Sequence, residues 1–177
     1  MVSKLARFVL ATVVLVAAVQ YLAAQNCNRH VEPVGRFSLC LPDDWIVRER
    51  PGDKFKGLFG TRLDDFTPNI NFRDETTSMA LSDYTAASVR HILASKEKIG
   101  ATSIELLGQS DFVTDSGVRG IRVVFKSLFK GLELRTIQYF FDDGRGRKLI
   151  VTGTNLEKHQ EVFDRVFDHA AKSFLVD

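Results

Sequence analysis

Four histidines, two cysteines and a scatter of serines and carboxylates carry the catalytic and ligating chemistry in this chain, and their spacing limits what they can do. His30, His91, His159 and His169 stand far apart. His159 and His169 fall on one predicted helix, but ten residues separate them, nearly three turns, whereas zinc-binding pairs use i to i+4 spacing. They read as solvated helix histidines. Ser38, Ser78, Ser110 and Ser173 lack the Gly-x-Ser-x-Gly context that exposes a nucleophile on a strand-to-helix turn. Gly144-Arg-Gly146 has no Lys-Ser/Thr to reach phosphates and a metal, and Lys148 to Gly153 after it reads as a strand. No catalytic residue and no cofactor emerge. A hydrolase of unknown substrate is the third reading, and it needs a cleft that brings a histidine and a carboxylate together.

Two polar groups have binding chemistry. Asp64, Asp65, Asn69 and Asn71 place carboxylate and amide oxygens near a turn, the donors that calcium takes. Their spacing matches no calcium loop, and a turn followed by a solvated strand face is the plainer reading. Arg145, Arg147 and Lys148, beside Asp142 and Asp143, form a charged hairpin tip suited to an acidic partner; such a tip also simply keeps a hairpin end soluble.

The N-terminus carries an address. Lys4 and Arg7 precede the apolar stretch Phe8 to Val19, which closes on Leu22-Ala23-Ala24, the order of a secretory signal with cleavage after Ala24. The alternative is an N-terminal membrane anchor, although a span needs about 20 predominantly apolar residues and this stretch is shorter and interrupted by Gln20. Residues 25–34 then form an N-terminal tail, and residues 35–177 form a single domain. The chain has 24 Lys+Arg against 22 Asp+Glu, and loss of Lys4 and Arg7 with the signal leaves the rest balanced. Such a neutral surface argues against nucleic acid as a partner. Cys27 and Cys40, an even count in an exported chain, are expected to form a disulfide. Alternation in Phe37 to Leu41 turns Cys40 away from the apolar face of its strand, toward the tail.

The remaining elements read as strands at 36–41, 45–48, 55–63 and 69–73, then a helix over about 82–98 opened by Ser82 and closed by Gly100. Leu81, Tyr84, Val89, Ile92 and Ile99 make its apolar side. Strands at 104–113, 120–129, 132–141 and 148–152 follow, joined by turns too short for parallel crossovers, so the sheet is mostly antiparallel. A second helix over about 155–174 is opened by a Thr154/Glu157 capping box. Leu156, Phe163, Val166, Phe167, Ala170, Ala171 and Phe174 give it an apolar stripe for packing on a sheet. The class is α+β.

This order, with Phe37-Ser-Leu-Cys-Leu-Pro-Asp-Asp-Trp45, Pro68-Asn-Ile-Asn-Phe72, the Ser82 helix and Ala171-Lys-Ser-Phe174, resembles the PsbP/DcrB-like family over roughly Gly35 to Phe174. The resemblance implies an α-β-α sandwich and an accessory role. The family includes the extrinsic photosystem II subunit PsbP, DcrB-type bacterial envelope proteins and related binding or chaperone modules. DcrB-type proteins are often lipoproteins, whereas Cys27 here follows Gln25-Asn26 rather than a lipobox. The expectation is an exported, periplasmic or secreted, non-catalytic module that contacts an envelope or membrane protein complex. A periplasmic carrier of a small ligand or metal ion, using the concavity between sheet and helix, is the alternative.

Overall fold

The computed structural model describes residues 27–176. Strands β1 (Asn28–Glu32), β2 (Phe37–Leu41), β3 (Ile46–Arg48), β4 (Gly57–Phe59) and β5 (Asn69–Thr76) precede helix α1 (Leu81–Ala94). Strands β6 (Ala101–Val113), β7 (Arg119–Phe129), β8 (Leu132–Asp142) and β9 (Arg147–Leu156) come next, then a short 3-10 helix (Glu157–His159), helix α2 (Gln160–Lys172) and β10 (Leu175–Val176). The main sheet runs β3-β4-β5-β9-β8-β7-β6, with every neighbouring pair antiparallel. A second antiparallel sheet has the order β1-β2-β10. Between β7 and β8, Lys130 and Gly131 both take positive φ (49° and 82°), the geometry of a two-residue type I′ hairpin turn.

Strand periodicity divides the core in two. Val123, Phe125, Phe140 and Ile150 point to one face, where Tyr84 and Val89 of α1 cover them. Val124, Ile137, Tyr139, Phe141, Leu149 and Val151 point to the other, against α2 and the Phe37, Leu39 and Leu41 side of the small sheet. The helices thus lie on opposite faces of the main sheet, the expected α+β sandwich. The aromatic stripe of α2 is core: Phe163, Phe167, Ala170, Ala171 and, just beyond the helix, Phe174 are all buried. Full burial of such a side chain contributes about 1.5 to 3 kcal/mol.

Charged side chains fix α2 over the sheet. Arg135 grips Asp164 with two bonds of 2.8 Å, Arg122 Nε donates to Asp168 Oδ1 at 2.8 Å, and Tyr139 OH donates to the same oxygen at 2.5 Å. Bidentate, charge-assisted bonds of this kind set helix orientation as well as adding energy. Burial first, and then the Asp168 charge, raise the Tyr139 pKa far above that of a free phenol.

Cys27 and Cys40 are joined in a disulfide with Cα atoms 5.4 Å apart. The segment read as a tail is instead β1, paired residue for residue with β2 from Asn28↔Leu41 to Glu32↔Phe37. The signal segment and its cleavage point lie outside the described residues.

Several expected boundaries are corrected. The 55–63 strand shrinks to Gly57–Phe59, and β5 and β9 run longer because they pair with each other over eight positions. That pairing also removes the capping box. Thr154 sits in β9 opposite Asn69 and Thr136, and the carboxylate of Glu157 reaches Arg135 at 3.6 Å. Ladder hydrogen bonds and a cation outcompete local capping there. Ser82 lies inside α1, which starts at Leu81 with no side-chain cap and ends at Ala94, so Ile99 falls beyond the helix and is 52% exposed.

Candidate functional site: a polar groove beside the first helix

Helix α1 lands where the sheet offers apolar side chains and leaves the rest of that face bare. It packs over β6, β7 and β8, against Val123, Phe125, Phe140 and Ile150. On β5 the same face presents Asn69, Asn71, Arg73 and Glu75, and the register continues it as Asn71↔Thr152↔Gln138 and Asn69↔Thr154↔Thr136. Amides, hydroxyls and charges give an apolar helix nothing to bury against, and covering them would cost their hydration. The result is a solvent-open groove of about 820 Å³ between α1 and the loop joining β3 to β4. That size falls in the range of ligand sites.

The groove has internal order. Arg50 Nη1 donates to Asn71 Oδ1 at 2.8 Å, and Asn71 Nδ2 donates to Asn69 Oδ1 at 2.6 Å. Arg50 Nε also pairs with Asp53 at 3.1 Å, and Lys54 Nζ with Asp74 at 2.6 Å. Tyr84 OH crosses from α1 to donate to Glu75 Oε2 at 2.9 Å. Burial, reinforced by the Glu75 carboxylate, pushes the Tyr84 pKa up to about 12, so the hydroxyl remains a donor at any physiological pH. On the floor, Gln138 Nε2 donates to Thr152 Oγ1 at 3.4 Å, while Gln138 Oε1 is buried without a hydrogen-bond partner. Arg73 is exposed at the rim, and among the described residues no carboxylate lies within ion-pair distance of it.

The residues singled out from sequence divide. Asn71 lines the groove, and Asn69, beside the lining, holds it through the 2.6 Å bond. Asp64 is held elsewhere: Lys158 Nζ lies 2.6 Å from its Oδ2 and His159 Nε2 lies 3.0 Å from the same atom, and these hydrogen bonds, that of Lys158 first, lower its pKa. Asp65 faces Arg62 at 3.6 Å. The four residues therefore serve three separate sets of partners, and among the described residues no group of three or more His, Cys, Asp or Glu gathers as a metal site.

The basic hairpin tip needs correction. Lys148 is 2% exposed and pairs with Asp142 at 2.7 Å, because its strand position faces inward from β9. Arg147 binds Asp143 at 3.0 Å and donates to the Gly35 carbonyl at 2.7 Å, which ties the tip to the β1–β2 turn. Arg145 is exposed, with its backbone N–H donating to Asp143 Oδ1 at 2.8 Å. Of the histidines, His91 lines the groove, His159 meets Asp64, and His30 sits against Glu32, 3.9 Å away, where burial lowers its pKa. Arg50, Arg73, Gln138 and Thr152 were missed. Arg73 alone had a local signal, the run of polar residues at alternate positions of Asn69–Thr76, a strand face with no apolar residue; Arg50, Gln138 and Thr152 reach the groove from other elements.

The fold is that of the PsbP/DcrB-like sandwiches. No family model and no curated protein matches the sequence. Among solved structures the chain is similar to cyanobacterial PsbP (CyanoP) from Synechocystis, with TM-score 0.66 and 16% identity over 85% of this chain and 92% of that one. It is also similar to LpqN of Mycobacterium tuberculosis, with TM-score 0.57 and 14% identity over 84% of each chain. A third likeness is to Mog1p of Saccharomyces cerevisiae, with TM-score 0.57 and 13% identity over 85% of this chain and 95% of that one. At these identities the likeness is one of fold, which by itself does not carry function.

Proposed function

We propose that this chain is an exported, non-catalytic accessory module that recognises a protein of an envelope or membrane complex through the groove beside α1. The observation that carries this reading is the polar band across β5, β9 and β8, a sheet face with hydrogen-bonding groups and no helix over it. Names of the similar structures lend it support: Mog1p is described as Ran-binding, and LpqN as involved in cell envelope biogenesis. Export is supported by the Lys4/Arg7, apolar, Ala24 order and by the Cys27–Cys40 bond, since disulfides persist in oxidising compartments. Among the described residues no helix is long and apolar enough to cross a membrane. Mass spectrometry of the exported fraction tests processing, with a mature N-terminus near Gln25 expected; a full-length, membrane-retained product contradicts it.

A photoreactive residue at Ala87, in the groove, should crosslink the partner in the native envelope, whereas one at Val162, exposed on α2 across the sheet, should not. Equal crosslinking from both positions contradicts the groove as the recognition surface. The second reading, a small-ligand carrier, is favoured by the convergence of Arg50, Asn71, Tyr84 and Gln138 on one cavity.

A further inference from the structure

Resting on the groove as recognition surface, we infer the kind of segment it takes: an extended stretch of polypeptide carrying one acidic and one basic side chain two residues apart. Most charges in and around the groove already have a counter-charge within the chain. Arg50 has Asp53, and Lys54 has Asp74. Arg73 and Glu75 are different. They lie on the same face of β5, two residues apart, without an ion pair to each other or to any other described residue. Glu75 receives the neutral Tyr84 hydroxyl, and the cation opposite it in the ladder, Lys148, is committed to Asp142 at 2.7 Å, so the Glu75 carboxylate has no ion pair within the described residues.

The groove thus presents a positive and a negative group spaced one strand period apart, about 6.8 Å. An extended chain laid over β5 repeats its side chains toward one face at that same period, so an acidic residue opposite Arg73 puts the next inward residue opposite Glu75. A basic one matches there, and a second acid is repelled. Arg73 also has the planar fork that grips a carboxylate through two bonds. The floor completes the match. Gln138 Oε1 is a buried acceptor lacking a donor, and an N–H or O–H of the bound segment would supply one.

The probe is an acetylated, amidated pentapeptide, Gly-Glu-Ala-Lys-Gly, titrated into the isotope-labelled, disulfide-bonded chain and followed by amide chemical shifts. Its twin has Gln in place of both charged residues. The charged peptide should shift β5 and α1 amides and bind about tenfold tighter than the twin, with the advantage shrinking as salt is added. Arg73→Gln, at an exposed position, should erase the advantage while leaving the rest of the amide spectrum in place. Glu75→Gln should reduce it.

Equal binding of the two peptides, or an advantage that survives Arg73→Gln, overturns the inference. So does free glutamate binding as tightly as the charged peptide, which assigns the groove to a small carboxylate instead. If groove crosslinks to a native partner form while the charged peptide shows no preference, the groove reading stands and this inference alone falls.

Discussion

A Cβ atom placed on Gly153 would lie 2.5 Å from Cγ of Phe167, closer than any side chain tolerates. Helix α2 sits on the sheet at the distance it does because β9 has no side chain at that point, and the Phe167 ring occupies the space. Gly153→Ala should therefore push α2 outward and cost about 1 to 3 kcal/mol as an overpacked core. Thermal or urea denaturation measures this. Pairing the change with Phe167→Leu should recover part of the loss, because the two positions share one space.

Phe167→Ala alone should cost about 3 to 5 kcal/mol, out of roughly 5 to 15 for a whole domain. Phe167 is 1% exposed and meets Trp45 edge-on at 6.2 Å, so the truncation leaves a cavity at the centre of the sandwich. A sharp fall in melting temperature or in accumulation is expected. Unchanged stability would contradict the core assignment.

The Cys27–Cys40 bond closes a loop with a sequence separation of 13 and holds the start of β1 against β2. Replacing both cysteines with serine should lower stability by about 3 kcal/mol in the chain-entropy account. Non-reducing peptide mapping of the protein isolated without reductant should recover the two cysteines joined. Labelling of both as free thiols would contradict the bond.

Alkali should unfold the domain through its tyrosines. Tyr84 and Tyr139 both have pKa values raised in the fold, Tyr84 from 10.0 to about 12, chiefly because burial disfavours the phenolate. A raised folded pKa means the fold holds protons that the unfolded chain releases, so stability falls as pH rises. The contribution is complete below about pH 10 and is lost upward through about pH 12 for Tyr84, and higher still for Tyr139. After removal of residues 1–24 these are the only tyrosines, so phenolate absorbance should appear above the free-phenol range, together with a falling urea midpoint. Ordinary phenol titration with a constant midpoint would contradict the buried hydrogen bonds to Glu75 and Asp168.

The strands and the apolar stripe of α2 were legible in the sequence because hydrophobic periodicity is a local signal. Phe163, Phe167, Ala170 and Ala171 declare their helix face wherever the sheet lies. Boundaries fixed by long-range pairing were not legible: Thr154 and Glu157 make a good capping box until β5 and β8 claim Thr154. The same holds for Lys148, which reads as a solvated tip residue until Asp142 is seen to hold it in the fold. As for the groove, Asn69 and Asn71 stood out by residue type, but Arg73 and Gln138 come together only through the order β5-β9-β8, and strand order leaves no mark in local spacing.

The central claim, recognition through the groove beside α1, is tested most directly by filling it. Thr152→Trp on the floor and Ala87→Trp on the helix wall each place an indole in the cavity from a different element. Partner crosslinking in the native envelope from a photoreactive residue at Met79, an exposed position on the groove wall, measured alongside melting temperature, should be lost in both variants while the fold persists. Undiminished crosslinking in two folded, groove-filled variants would contradict the account.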